Sequence, residues 1–287
     1  MTTIRVGGVP EHFNLPWHLC IEEGDFEYEH IKLEWREFPD GTGAMNKALR
    51  NGEIDVAIIL TEGIIKDITA GNPSKIIQTY IDSPLVWGIH VDKNSAFKKM
   101  EDLRGTKAAI SREGSGSQLM AYVNAKEMGW DPGTLEFEVV GDIDGAVQAL
   151  HRDTAQYFMW ELFTTKPLVD KDVFRRIGEC PTLWPCFLVA AREDFIKEHE
   201  HALAKMLGVV NAKSASFKEI PEIEQVLANR YGQKREDIVT WLDSTSWSQH
   251  QFTDEELHLV QETLLELNLI PFKLPASNLI YNLETQE

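Results

Sequence analysis

The chain has 287 residues, 43% of them hydrophobic, which is enough apolar material for one long domain or two ordinary ones. Its 46 Asp and Glu residues outnumber its 28 Lys and Arg residues, and the formal net charge of −18 argues against a nucleic acid or an anionic membrane surface as partner. The three cysteines are too few, and odd in number, for a disulfide framework.

The first third of the chain alternates strand patterns with short helix patterns. Strands are predicted over 4–9, 33–38, 54–60 and 75–81, and helices over 16–23, over 44–50 and from a Thr61 cap onward. Pro16 suits a first helical turn, and Gly24 suits a helix end. Strands joined by short helices pair in parallel through right-handed crossovers, so we expect a mostly parallel α/β sheet.

The middle third repeats the alternation. Strands are predicted over 107–111, 137–140, 156–160 and 174–177, and helices over 115–128, 144–150 and 162–170. Ser115 and Gln118 have the spacing of a capping box, in which each residue satisfies a free backbone donor of the other. A second α/β unit is therefore expected here.

The last third becomes mainly helical after a strand over 187–191. Helices are predicted over 193–207, 221–231, 234–242 and 253–267. Thr253 and Glu256 have capping-box spacing, and the apolar residues that follow lie on one helix face. We expect this helix to pack against its own domain.

This order of elements predicts two lobes, the second inserted into the first. Residues 1–85 and 187–287 form lobe one, and residues 86–186 form lobe two. The crossovers at 83–87 and 180–187 both contain proline, which restricts the backbone angles. Because two segments connect the lobes, we expect them to rotate about one hinge axis.

Several short motifs occur in an order that is familiar from one superfamily. They are NGEIDVA at 51–57, DLRGTK at 102–107, SREGSGS at 111–117 and LLELNLI at 264–270. The chain resembles the type 2 periplasmic-binding-protein-like superfamily, in the branch that binds sulfonates, nitrate and the thiamine pyrimidine precursor. The resemblance implies two lobes, each a mostly parallel sheet flanked by helices, joined by two crossover hinge strands. It also implies a small-molecule ligand and, for an exported protein, an ABC transporter membrane component as partner.

The start of the chain bears on localisation. Residues 1–6 lead almost directly into a strand pattern, without the basic start and apolar stretch of a secretory signal. The chain as written is therefore expected in the cytoplasm, or in the periplasm if Met1 belongs to a recloned mature form.

Candidate ligand-binding residues follow from a rule of parallel α/β sheets. Ligands bind beyond the carboxyl ends of the strands, near helix N-termini. The candidates in lobe one are Glu11, His12, Phe13, Asn14, Gly41, Thr42, Gly43, Thr61 and Glu62, and those in lobe two are Gly114, Ser115, Gly116, Ser117, Trp160 and Glu161.

The loop Gly114–Ser117 is the most specific of these signals. Its glycines permit close backbone approach, and its hydroxyls add donors suited to a carboxylate, sulfonate or phosphate. It is not a nucleotide-binding P-loop, because no Gly-Lys-Ser/Thr follows. The alternative is an ordinary turn with a helix cap.

Side chains with other chemistry lie among the candidates. Trp160 can offer a ring face, while Glu11, Glu62 and Glu161 suit an amine or a ring N–H better than a purely anionic ligand. The alternatives are a core tryptophan and solvated surface glutamates.

Patterns for catalysis, metals and cofactors do not stand out. Cys180 and Cys186 lack zinc-site spacing. His12 beside Glu11 suggests a base with an orienting group, but adjacent residues of an extended segment point in opposite directions. We expect no catalytic residue, no metal and no cofactor. The predicted function is hinge closure around a small polar ligand, heteroaromatic or anionic; the alternative is a cytosolic enzyme of the same fold acting on a cofactor-biosynthesis intermediate.

Overall fold

A computed structural model describes residues 1–283 of the chain. Its ten strands within these residues are β1 Thr2–Gly8, β2 Ile31–Glu37, β3 Val56–Leu60, β4 Ser74–Ile81, β5 Val86–Asp92, β6 Lys107–Ile110, β7 Glu136–Val139, β8 Tyr157–Glu161, β9 Phe174–Pro181 and β10 Phe187–Arg192. The α-helices of the same range are α1 Leu15–Glu23, α2 Asp25–Tyr28, α3 Thr42–Arg50, α4 Thr61–Thr69, α5 Gly116–Glu127, α6 Ile143–His151, α7 Lys166–Asp170, α8 Glu193–Ala215, α9 Ile223–Tyr231, α10 Arg235–Ser244, α11 Asp254–Glu266 and α12 Ala276–Leu279.

The chain divides into two compact units. Unit 1 contains Met1–Pro84 and the chain from Leu183 onward, and unit 2 contains Leu85–Thr182. The chain therefore leaves unit 1 between β4 and β5 and returns to it between β9 and β10. From the sequence we expected the inserted unit to cover residues 86–186.

The sheet of unit 1 has the order β2-β1-β3-β10-β4. Strand β1 pairs in parallel with β2 and β3, whereas β10 runs antiparallel to both β3 and β4. Four strands therefore point one way, and only β10 is reversed. The central strand β3 is apolar and almost fully buried, as expected for a strand covered by helices on both faces.

The sheet of unit 2 repeats this plan with the order β7-β6-β8-β5-β9. Strand β6 is parallel to β7 and β8, and β5 is antiparallel to β8 and β9. The reversed strand again occupies the fourth position. In each unit it is the first strand after the chain has crossed from the other unit. The predicted α/β class with mostly parallel sheets is confirmed.

Strand β5 was not predicted from the sequence, because glycine and histidine interrupt its apolar pattern. His90 is buried within it, and its ring nitrogens lie 3.0 Å from Thr165 Oγ1 and 3.3 Å from the Phe158 carbonyl oxygen. A Cβ at Gly88 would lie 2.5 Å from the imidazole. Gly88 therefore leaves the space that allows a histidine inside this strand.

Three predicted helix features differ from the structure. The helix expected over 162–170 starts only at Lys166, since the preceding residues form a loop around the Glu161 carboxylate. Thr61 does not cap α4; it is the first helical residue, and its hydroxyl donates to the Pro185 carbonyl. Helix α8 also extends beyond its predicted end, to Ala215.

Helix α11 confirms its predicted start. The Thr253 N–H donates to Glu256 at 2.8 Å, and the Glu256 N–H donates to the Thr253 hydroxyl at 3.2 Å. Among the helices of residues 1–283, none combines the length and the apolar character of a membrane span.

Two helical glycines provide a matched test of packing. A Cβ on Gly145 in α6 would lie 1.9 Å from the Val140 carbonyl oxygen, whereas a Cβ on the exposed Gly208 in α8 would have no neighbour within 4 Å. We expect Gly145→Ala to lower the free energy of unfolding by about 1–3 kcal/mol, because the backbone must move. Gly208→Ala should raise it by about 1 kcal/mol through helix propensity. Urea unfolding of both variants measures the difference, and a shift of the same sign in both would contradict it.

Candidate functional site

The carboxyl ends of β1, β2 and β3 meet the start of the reversed strand β10 at one edge of the unit 1 sheet. Segment 9–14 follows β1, segment 38–41 follows β2, and Thr61 follows β3, while segment 183–186 leads into the reversed strand β10. The predicted candidates of lobe one lie in these segments or in the first helical turn after them. The structure therefore brings them to one edge.

His12 and Phe13 face the aromatic core of unit 1. The His12 ring stacks on Trp241 with centroids 4.1 Å apart, and Phe13 lies 5.1 Å from Phe187. His12 is only 1% exposed, and burial lowers its pKa to about 3, so the ring is neutral. Their ring contacts hold the loop after β1 against the aromatic core of unit 1.

Asn14 follows them at the start of α1 and is fully buried. Its amide nitrogen donates to the Val9 carbonyl at 2.9 Å, which orients the side chain. Its amide oxygen has no hydrogen-bond partner among the described residues. Glu11, in the same loop, is partly exposed.

The glycines after β2 allow the N-terminus of α3 to approach α4. Gly41 has a φ of 70°, which only glycine adopts without strain, and its N–H donates to the Phe38 carbonyl at 2.9 Å. Thr42 packs so closely on Gly63 that a Cβ there would lie 2.3 Å from the Thr42 methyl carbon. Gly43 is exposed in the first turn of α3. The first turns of α3 and α4 are therefore neighbours.

Glu62, the second residue of α4, is 2% exposed. One carboxylate oxygen, Oε2, accepts a hydrogen bond from the Trp184 indole N–H at 2.9 Å, while Oε1 has no partner within residues 1–283. Burial raises the pKa of this carboxyl. The N–H of the preceding residue, Thr61, donates to the Cys186 carbonyl at 3.1 Å. This hydrogen bond connects the start of α4 to the segment before β10.

In unit 2, the loop after β6 is held by its own serines. The Ser117 hydroxyl accepts from the Ser111 N–H at 3.1 Å and lies 3.0 Å from the Ser115 hydroxyl. Both hydroxyls are buried and engaged inside the loop. An anion at this helix would therefore depend on the first-turn N–H groups of Gly116 and Ser117, which an α-helix leaves without intrahelical partners.

Only half of the capping box predicted here forms. The Ser115 hydroxyl accepts from the Gln118 N–H at 3.4 Å, as expected. The Gln118 side chain, however, accepts from the Gly114 N–H at 2.6 Å rather than from Ser115. Gly114 has a φ of 74°, and this left-handed conformation accompanies the shifted contact.

Trp160 and Glu161 end β8, at the carboxyl edge of the unit 2 sheet. The partly exposed Trp160 ring stacks on Phe158 at 5.3 Å. The Glu161 carboxylate is 4% exposed and accepts from the Phe163 N–H at 3.1 Å and from the N–H and hydroxyl of Thr164 at 2.6 and 2.7 Å. Burial raises its pKa, and these hydrogen bonds oppose that shift. The ligand roles of Trp160 and Glu161 stay predictions.

Sequence reasoning left two features out of the site. One is Trp184, in the crossover at 180–187; a buried indole N–H usually has a partner, and this signal predicts an acceptor nearby without identifying it as Glu62. The other feature lies at the carboxyl end of β4, the outer strand of the same edge. There, within the described part of the chain, ligating atoms of Asp82, His250 and Glu256 lie within 4.8 Å of one another on a largely exposed surface.

The buried His12 predicts a pH dependence of stability. The unfolded chain takes up a proton near the ordinary histidine pKa of 6.5, whereas the folded chain does so only near 3, so stability is lost as the pH falls below 6.5. Between pH 7.5 and 5.5 the loss from this residue is about 1.4 kcal/mol. His12→Phe keeps a stacking ring without a titratable group. Urea unfolding at the two pH values should therefore show a smaller pH effect in this variant, and an unchanged pH effect would contradict the assignment.

Comparisons with known proteins agree with this architecture. The model of the Ca3427-like periplasmic-binding-protein family matches residues 87–180. A comparison with curated protein sequences gives no match. The CA3427 gene product of Candida albicans, described as defining a new family with the generic periplasmic binding protein fold, is 23% identical with a TM-score of 0.90, and the match covers 100% of this chain and 99% of that one.

Two sulfonate-binding proteins are also similar in structure. The periplasmic aliphatic sulphonate binding protein SsuA of Escherichia coli is 18% identical, with a TM-score of 0.76 and coverage of 100% of this chain and 94% of that one. The alkanesulfonate-binding protein SsuA of Xanthomonas axonopodis pv. citri, bound to MOPS, is 15% identical, with a TM-score of 0.83 and coverage of 98% and 99%. The chain therefore has the type 2 periplasmic-binding-protein-like fold, which is a fold of solute-binding proteins.

Proposed function

We propose that this chain is a binding protein for a small polar solute and that its two units close around that solute. The observation that carries the proposal is the repeated sheet order. In both units the third strand of the order, β3 or β8, delivers a buried glutamate to the carboxyl edge of the sheet, Glu62 or Glu161. Helices α4 and α5 begin at these edges and offer N–H groups to a ligand.

The connections between the units support closure. Within unit 2 the Leu85 N–H donates to the Thr182 hydroxyl at 3.0 Å, and the Thr182 N–H donates to the Leu85 carbonyl at 2.9 Å. The two connecting segments are thus bonded side by side where they reach unit 2, and each has a proline nearby, Pro84 or Pro185. Closure removes a ligand from water and strengthens its hydrogen bonds.

Binding has better support than catalysis at the unit 1 edge. His12, the histidine of the segment after β1, is buried, neutral and stacked on Trp241, so it is not placed to take a proton from a substrate. For an exported form of the protein, an ABC transporter membrane component stays the predicted partner.

A thermal-shift screen tests the binding function directly. We expect a hit among sulfonates, nitrate, carboxylates and thiamine precursors, with about 2.7 kcal/mol of stabilisation at a concentration 100 times the Kd. Gly116→Val should weaken that hit at least about tenfold in calorimetric titration, since a side chain blocks approach to the first turn of α5. Gly208→Val is the matched control, because a Cβ there meets nothing within 4 Å. Equal affinities in the two variants would remove α5 from the site.

Small-angle scattering tests closure. The radius of gyration of the wild type should fall when the hit is added, and it should fall less in Gly116→Val at the same concentration, because the weakened Kd leaves more of the variant unbound. A saturating hit that leaves the wild-type scattering unchanged would argue against closure while leaving the binding function in place.

A further inference from the structure

The unpaired oxygen of Glu62 bears on the chemistry of the ligand. The carboxylate lies in the first turn of α4, directly after β3, and one oxygen is taken by the Trp184 indole at 2.9 Å. The other oxygen, Oε1, is buried and has no partner among residues 1–283. A buried acceptor without a donor costs about 1–3 kcal/mol, and more when the group is charged. A donor supplied by a ligand would remove this cost.

Cations of the protein do not fill this role. No Lys or Arg occurs in the segments that form this edge, which are 9–14, 38–41, 61–62 and 183–186. Arg36, at the end of β2, is bound to Glu53 at 2.9 Å. Lys66, one turn beyond Glu62, makes no ion pair with it within the described chain.

A second unpaired acceptor lies at the same edge. Asn14 is fully buried, and its oxygen is without a partner among the described residues because its amide nitrogen is already directed at the Val9 carbonyl. Strands β1 and β3, which precede Asn14 and Glu62, are parallel neighbours. The edge therefore combines two buried acceptors with an absence of Lys and Arg in its segments. A sulfonate or nitrate, which carries acceptors only, is a poor match for it.

We infer that Glu62 Oε1 anchors an N–H donor of the ligand, so that the substrate class is an amine, an amidine or a heteroaromatic ring with a ring or exocyclic N–H, rather than a sulfonate. This inference rests on the proposed solute-binding function and specifies its ligand. The ligand's N–H group donates to the buried carboxylate. Burial raises the pKa of this carboxyl, and a ligand donor opposes that shift by stabilising the ionised form, so the hydrogen bond is charge-assisted and stronger than a neutral one.

Calorimetric titration with matched probes tests the inference. Benzamidine and 4-aminopyrimidine supply N–H donors, and benzenesulfonate presents a similar ring with acceptors only. At pH 7.5 the wild type should bind at least one donor probe at least tenfold more tightly than benzenesulfonate. Glu62→Gln should reduce that donor affinity about tenfold, because the acceptor loses its charge, and should leave the sulfonate affinity unchanged or raised.

Two further variants separate recognition from folding. Glu29→Gln, just before β2 at the opposite edge of the sheet, is the matched control; it loses the ion pair with Lys205 but should keep the wild-type affinities. Trp184→Phe removes the indole donor but keeps the carboxylate, so it should keep the donor preference. It also serves as the test if Glu62→Gln does not fold.

The outcomes distinguish this inference from the proposed function. A wild type that prefers benzenesulfonate would overturn the ligand class and leave the binding function standing. Equal donor affinity in the wild type and in a folded Glu62→Gln would also overturn it, and would assign Glu62 to holding Trp184 only. If the wild type binds none of these probes and none of the compounds in the broader screen, the proposed function and this inference are both overturned.

Discussion

The direction of strands in the two sheets is the constraint on which the rest of the structure depends. Each sheet has one reversed strand, β10 in unit 1 and β5 in unit 2, and each lies at the fourth position of its order. The other four strands then end at one edge, and their following loops and helix N-termini meet there. Polar groups that are distant in sequence are thereby concentrated, as parallel α/β sheets generally do at their ligand sites.

The two edges use buried glutamates differently. Glu161 receives three donors from its own loop, so its carboxylate stabilises the turn that follows β8. Glu62 receives one donor from Trp184 and keeps an oxygen unpaired. Burial raises the pKa of both carboxyls, but only Glu62 has acceptor capacity that its surroundings leave unused. Equivalent places in the two sheets therefore carry a structural carboxylate and a candidate recognition group.

Similarity of fold does not transfer ligand chemistry at these levels of identity. The sulfonate-binding proteins share 15–18% of their residues with this chain over nearly its whole length. The same backbone plan supports many ligands, since specificity depends on a few side chains at the strand ends. In this chain the unit 1 edge carries Glu11, Asp40 and Glu62 without a Lys or Arg in its four segments. That composition is the reason to argue ligand class from the site rather than from the neighbours.

The sequence alone predicted the fold class and most elements, because burial periodicity and capping chemistry are local. The apolar run ending at Leu60 indicated a buried strand, and Thr253 with Glu256 indicated the start of α11. The sequence also identified the loops that contain the candidate residues, because each of these loops follows the end of a predicted strand. Their ligand contacts stay predictions.

Only the tertiary structure decided the strand order, the reversal of β10 and β5, and the existence of β5 itself. His90 reads as polar in the sequence, and its burial depends on space beside Gly88 and on contacts with Phe158 and Thr165. The contact between Glu62 and Trp184 joins residues 122 positions apart. Local patterns record which residues prefer burial, but the partner of a buried polar group is set by which strands pair, and that depends on the whole chain.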